Sequence, residues 1–134
     1  MKREIIASEK APAAVGTYSQ AVKASFMADG KEHFTLYVSG QLPIDRNTGE
    51  FAQGGVAEQL AQIFKNIGYI LEEAGCSFAD VAKTTVYLTD MADFGTLNQV
   101  YAQFFTEPYP ARVAFAVKEL PKKALAEVDV IAVK

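Results

Sequence analysis

Two short runs, Thr84-Thr85-Val86-Tyr87-Leu88 and Val113-Ala114-Phe115-Ala116-Val117, are apolar or only weakly polar at consecutive positions, so a strand made from either has no clean water-facing side. Strand side chains alternate between faces, and a sheet built from such runs has to be covered on both. Only two stretches carry a helical period that could provide a cover. One is Val56, Leu60, Ile63, Phe64, Ile67 and Leu71, and the other Phe94, Leu97, Tyr101, Phe104 and Phe105. Two helices blanket one face. A monomer that left the other wet would expose a larger apolar patch than soluble proteins tolerate, so a symmetric homo-oligomer with pockets between subunits is expected.

The remaining elements follow from turn chemistry. Arg3 to Ala7 reads as a short strand, and the small-residue segment Ala11 to Tyr18 as a loop able to cover a pocket. Val22 to Ala28 and His33 to Ser39 flank Asp29-Gly30, a dipeptide that accepts the positive φ angles of a hairpin turn. Pro43 to Gly49 is turn sequence, Gly75 follows the first helix as its terminating glycine, and Val81 to Thr89 is β-branched. Asp90 or Asp93 caps the second helix, which Pro108 stops, and Ala111 to Lys118 and Leu125 to Val133 are the last two strands. The order is β-β-β-α-β-α-β-β. With 134 residues, half of them apolar, one domain over residues 1–134 is expected.

Charge and cysteine content remove several function classes. A formal charge of -3 and a pI near 5.1 leave no basic stripe for nucleic acid or anionic membrane. One cysteine, Cys76, and one histidine, His33, make neither a disulfide framework nor a zinc cluster. Cys76 lies after a helix-terminating glycine and lacks a neighbouring base, so it reads as inert, and His33 as a surface or packing residue. The apolar run at Met1 to Ile6 is short for a signal peptide and no stretch is long enough to span a bilayer, so a cytoplasmic protein is expected.

The chemistry concentrates near the end of the chain. Pro110-Ala111-Arg112 opens an apolar strand, and Glu127 lies on the next one. A guanidinium there either pairs with Glu127 or Asp129 as a structural ion pair or binds an anionic ligand, for which its planar fork fits a carboxylate. Glu127 and Asp129 alternate with Ala126, Val128 and Val130 and so share one strand face, which is either solvated or lines a site. Burial would make Glu127 more basic and a nearby Arg112 would make it less so. Tyr18 in its loop, Ser39 before Gly40 at a strand end, and Asn98 on the polar side of a helix each have an ordinary structural reading as well.

Taken together, Ala11-Pro12, Gly16-x-Tyr18-Ser19-Gln20-Ala21, Val38-Ser39-Gly40-Gln41-Leu42-Pro43, Thr48-Gly49, Lys83-Thr84-Thr85-Val86, Asn98-x-x-Tyr101-x-x-Phe104-Phe105, Pro110-Ala111-Arg112 and Leu125-Ala126-Glu127-Val128 run end to end along the chain. In that order and spacing they resemble the landmarks of the Rid family of reactive-intermediate deaminases, also called the YjgF or L-PSP endoribonuclease-like family. The resemblance implies a chorismate-mutase-like α+β fold with two helices on one face of a mixed sheet, in a homotrimer around a central barrel with a site in each cleft between subunits. It also implies hydrolysis of enamine or imine acids, 2-aminoacrylate and 2-iminobutanoate among them, to 2-oxo acids and ammonia without a cofactor or metal, which protects pyridoxal-phosphate enzymes. Carried over by motif, Arg112 would bind the substrate carboxylate, and Glu127 would position the attacking water. Tyr18, Ser39 and Asn98 would line the pocket, and the Ala114 backbone would hold the nitrogen or water.

Three positions depart from the family pattern: Ala114 stands where the deaminases commonly have Cys, Thr17 where Pro is usual, and the segment from Ala24 to Phe34 is longer than the family norm. They keep open a binding module that holds a 2-oxo acid without turnover. A ribonuclease is the weakest reading, given the acidic chain.

Overall fold

The computed structural model describes all of residues 1–134. Its elements are β1 (Lys2–Ile6), β2 (Ala21–Ala28), β3 (Lys31–Gln41), α1 (Val56–Glu73), β4 (Val81–Leu88), α2 (Phe94–Phe104), β5 (Ala111–Ala116) and β6 (Ala126–Val133), in the order the sequence implies. The six strands form one mixed sheet ordered β1-β2-β3-β6-β4-β5, in which only β4 and β5 run parallel. This is an α+β fold.

Local sequence explains most boundaries. Asp29 and Gly30 take φ of 52° and 73°, the left-handed pair that joins β2 to β3 in a tight hairpin. Gly75 at φ 76° ends α1, after Ala74 has closed the last helical turn. The Asp90 carboxylate accepts from the Ala92 N–H and caps a single 3₁₀ turn, Met91–Asp93, out of which α2 grows. Two ends differ from expectation for tertiary reasons. α2 ends at Phe104, before Pro108, because Phe105 turns extended and drives its ring into the core. β5 stops at Ala116 because its parallel partner β4 ends at Leu88, whose carbonyl accepts a last bond from the Val117 N–H.

The two faces of the sheet differ sharply. Along β6, Ala126, Val128, Val130 and Ala132 are buried beneath the helices with Leu36 and Val38 of β3 and Val86 and Leu88 of β4. Leu60, Ile63, Phe64, Ile67, Ile70 and Leu71 fill the core from α1, and Leu97, Val100 and Tyr101 from α2. The opposite face carries Ile5, Phe26, Tyr37, Val113, Phe115 and Val133, all exposed. His33 lies there stacked on Phe26, a packing role. Cys76 is buried, and burial first, then the Asp80 charge, pushes its thiol up, away from the reactive thiolate.

Phe64 is fully buried and meets Tyr101, Phe104 and Phe105 with ring centroids 5.7, 5.2 and 5.7 Å away. Phe64→Ala removes the hub of that cluster, and a loss of about 3–5 kcal/mol is expected in urea unfolding at fixed protein concentration. A loss under about 1 kcal/mol would mean that the cluster is not what seats α2.

Candidate active site

Arg112 enters β5 beside Thr84 of β4, and Thr84 faces the helices. Its guanidinium therefore rises on the helix side, 4.8 Å from the Tyr101 ring centroid and 5.5 Å from that of Phe94. Tyr101 is held in turn by Thr84, whose hydroxyl lies 2.9 Å from its own, and by Phe105 stacked 4.3 Å away. Burial pushes the Tyr101 phenol up, although the Thr84 bond and the Arg112 charge oppose it. Asn98, Tyr101, Ala102, Tyr109, Pro110 and Arg112 line a cleft of 370 Å³. The chain's ion pairs are Lys10–Glu72, Lys23–Glu32 and Lys134–Asp80, so Arg112 has none. The structural ion pair to Glu127 or Asp129 is thereby removed, and Arg112 is left as a stacked cation free to meet a ligand.

Glu127 lies on the other side of the sheet. It is directly across from Tyr87 of β4, and Tyr87 is across from Phe115 on the bare face. Where β3 passes β6, the register shifts between Val38 and Gln41, and the bulge places Ser39 and Gly40 beside the Glu127 carboxylate. A Cβ on Gly40 would overlap that carboxylate, so the glycine makes the room the side chain occupies. Ala13, Val15, Tyr18, Ser39, Gly40, Leu42, Ile44, Pro121, Lys122 and Glu127 line a cleft of 570 Å³. Burial first, then the Asp129 charge, raises the Glu127 pKa from its ordinary value. Of the two opposing effects expected from sequence, burial therefore prevails within one chain, because Arg112 is on the far face.

Three buried amides fix the loops around this cleft. Gln20 accepts from the Ser8 N–H at 2.7 Å and donates to the carbonyls of Ser8 and Pro12, holding the loop that carries Tyr18. Asn66 donates to the carbonyls of Leu42 and Ile44 at 3.2 and 2.9 Å. Gln59 accepts from the Leu125 N–H at 2.8 Å, next to the turn that presents Lys122. Ser39 donates its hydroxyl to the Ser19 carbonyl at 2.6 Å, tying the Tyr18 loop to β3. Sequence reasoning placed Gln20 and Tyr101 only among the family landmarks, read Gly40 as room for a ligand rather than for Glu127, and missed Asn66, Gln59 and Tyr109. A signal existed for Asn66 and Gln59, polar residues set inside the apolar stripe of α1.

Five of the six residues singled out from sequence thus fall into two clefts. Tyr18, Ser39 and Glu127 share one cleft, and Asn98 and Arg112 share another. Ala114 is on the helix side of β5, opposite Val86. Because β5 is an edge strand, backbone groups on its outer side have no strand partner. No group of three or more His, Cys, Asp or Glu side chains is placed to hold a metal ion. No helix is long and apolar enough to cross a membrane.

The profile of the Endoribonuclease L-PSP family matches residues 8–134, nearly the whole chain. The chain belongs to the Rid (YjgF/L-PSP) family. Among Rid relatives, the 2-iminobutanoate/2-iminopropanoate deaminase of Rattus norvegicus is 48% identical over 132 residues, spanning 98% of this chain and 90% of the rat protein. A crystal structure of a putative endoribonuclease L-PSP from Entamoeba histolytica superposes with a TM-score of 0.87 at 46% identity, covering 99% of this chain and 100% of that one. The crystal structure of E. coli TdcF with bound serine gives a TM-score of 0.84 at 37% identity, with 98% of each chain covered.

Gly40→Ala is expected to leave the fold intact, since Gly40 is not among the positive-φ residues, and to swing the Glu127 carboxylate out of its place beside β3. A crystal structure of the variant reads this directly. A carboxylate that stays put would show that the bulge, not the missing side chain, shapes the cleft.

Proposed function

We propose that this protein hydrolyses small 2-imino acids to 2-oxo acids and ammonia, in sites formed where the Arg112 cleft of one copy meets the Glu127 cleft of the next in a homotrimer. The observation that carries this reading is the division of the site residues between two faces of one sheet. Each cleft alone has half the chemistry, and the bare apolar face supplies a reason for copies to associate. The deaminase name of the rat relative and the serine bound to TdcF, an amino acid carrying the same carboxylate, point to the same substrate class.

In such a site the Arg112 fork takes the substrate carboxylate, and the stacked rings of Tyr101 and Phe94 keep it in place. The protonated imine carbon is already electrophilic, so the protein has to position water and move protons. Glu127 takes a proton from the attacking water as the C–O bond forms, giving a tetrahedral carbinolamine. It then returns that proton to the amine, and as the C–N bond breaks the hydroxyl closes to the carbonyl and gives up its own proton to Glu127 or to the departing ammonia, leaving the 2-oxo acid behind. Tyr18, Ser39 and Asn98 border the substrate, and main-chain groups of β5 at Ala114 hold the nitrogen or water. The Ser39 hydroxyl donates to Ser19, which leaves its lone pairs free to accept an iminium N–H. Removing reactive imines in the cytoplasm would protect the pyridoxal-phosphate enzymes that release them, and a reducing compartment suits the unpaired, buried Cys76.

Binding of a 2-oxo acid without turnover is the second reading, favoured by Ala114, which brings no side-chain chemistry to the edge of the site. RNA cleavage, named in the family's description, has little support here: the net charge is -3 and the one histidine packs on Phe26, not among the residues of either cleft.

A direct assay generates imine with threonine or serine dehydratase and traps what escapes with semicarbazide. Arg112→Ala and Glu127→Gln should each lower the suppression of semicarbazone by about 100-fold or more. Co-assembling the two inactive variants should then restore activity in about a quarter of the sites, the share in which intact halves meet at random. Variants that keep wild-type activity would overturn the roles given to Arg112 and Glu127. Inactive variants that recover nothing when mixed would overturn the shared site, and binding of 2-oxobutanoate by a wild-type protein without turnover would favour the binding module.

A further inference from the structure

Glu127 has a second carboxylate for a neighbour. Asp129 lies two residues along the same face of β6, about 6–7 Å away by strand geometry. Its Oδ2 accepts a 2.8 Å hydrogen bond from the Tyr87 hydroxyl. Tyr87 is the residue directly across the ladder from Glu127, so a phenol that starts opposite one carboxylate reaches diagonally to the other. Phe115 holds the ring edge to face, with centroids 5.4 Å apart and planes at 82°. The phenol pKa is pushed up to about 12, first by this hydrogen bond, then by burial and by the charges of Asp129 and Glu127. Tyr87 therefore remains a donor throughout the physiological range, and its bond fixes where the Asp129 carboxylate sits.

A fixed anion beside a half-buried carboxylate is unfavourable for the fold in isolation. In the shared site it has a use. Arg112 of the neighbouring copy would hold Glu127 ionised and weakly basic, which suits an anchor but not a group that must take a proton from water. The groups that face Glu127 are Tyr87 from β4, with Lys83 further along the same face, Ser39 and Gly40 from β3, Tyr18 from its loop, Lys122 from the turn before β6, and Asp129. Asp129 is the one carboxylate among them.

We propose, building on the deaminase reading, that Asp129 clamped by Tyr87 is a positioning residue for Glu127: its fixed negative charge offsets the neighbouring Arg112 and lets Glu127 take up and return a proton near neutral pH. The Tyr87 ring supplies the rigidity, since an unclamped Asp129 could turn away from Glu127.

The experiment follows the Glu127 side-chain carboxyl by ¹³C NMR through a pH titration, assigned by its disappearance in Glu127→Gln, in the assembled wild type, Asp129→Asn and Tyr87→Phe. The pH profile of kcat/KM for imine hydrolysis is measured alongside. Removing the Asp129 charge makes the Glu127 anion easier to form, so its midpoint is expected to fall by about half to one pH unit in Asp129→Asn, the size of one unit charge at about 6–7 Å in a partly solvated cleft. Tyr87→Phe should shift it the same way by less, and the acid limb of kcat/KM should move down with it. An unchanged midpoint in both variants overturns the proposal, as does a loss of activity equal at every pH, which marks a merely structural pair. A wild type that titrates as expected but turns over no imine overturns the deaminase reading and the catalytic role with it, while the NMR arm still reports the coupling of the two carboxylates. The two failures are thereby told apart.

Discussion

The alternation of side chains along a strand governs everything this site can do. The register of β5 on β4 and of β4 on β6 gives Arg112 the parity of Thr84 and Val130, and Glu127 the parity of Tyr87 and Phe115. A slip of one residue in β5 would bring the arginine to the bare face, where a single chain could pair it with a carboxylate. With the observed register the cation and the carboxylates are kept apart by the thickness of the sheet. Arginine tolerates that isolation better than lysine would, because a guanidinium is weakly hydrated and gains about 0.5–2 kcal/mol from stacking on aromatic rings. Tyr101 and Phe94 provide them, and the Phe64 cluster fixes Tyr101 from beneath. The core under the helices and the readiness of Arg112 for a ligand are therefore one packing problem.

The Glu127 side solves a different problem, since its walls are loops. Loops carry function when a rigid scaffold sets them, and here the setting is done by amides rather than by apolar contact. Gln20, Asn66 and Gln59 are buried with their bonds satisfied by backbone groups of three separate segments. Deleting any one would strand backbone donors or acceptors away from water, at about 1–3 kcal/mol each. Two of the three amides come from α1, so the helix that covers the sheet also holds the rim of a cleft on the other side of it.

Sequence carried the element order, the Asp29-Gly30 hairpin, the Gly75 stop and the inner stripe of α1, because each depends on local conformational preference or on the period of a single element. It also carried the shared face of Glu127 and Asp129, which needs only the parity of one strand. It did not carry the relation of Arg112 to Glu127. These residues sit on different strands joined through β4, and their relative face depends on two registers that tertiary pairing decides. The same reason hides the bulge at Ser39 and Gly40, which exists only against β6. The ends of α2 and β5 escaped for a related cause: Phe105 leaves the helix to reach the core, and β5 stops where its partner stops. Residue types therefore singled out candidate side chains, and the assembly of the sheet decided where they lie.

The departures at Thr17 and Ala114 weigh differently once the fold is known. A proline at position 17 would restrict the backbone next to Tyr18, yet that backbone is already held on both sides. Gln20 ties the early part of the loop through Ser8 and Pro12, and Ser39 ties the late part through Ser19, with the Ser39 N–H bonded to the Gln20 carbonyl besides. With the folded loop fixed by these bonds, threonine for proline acts mainly by freeing the unfolded chain, an effect of about 0.4–1 kcal/mol on stability. The cleft keeps its shape. Ala114 removes a side chain from an edge strand but leaves the main chain there unchanged, so any bond that β5 offers a substrate through its backbone survives the substitution. Both departures thus fall at positions that line neither cleft and whose backbone the fold holds by other means, whereas Arg112, Glu127 and Gly40 shape the two clefts directly.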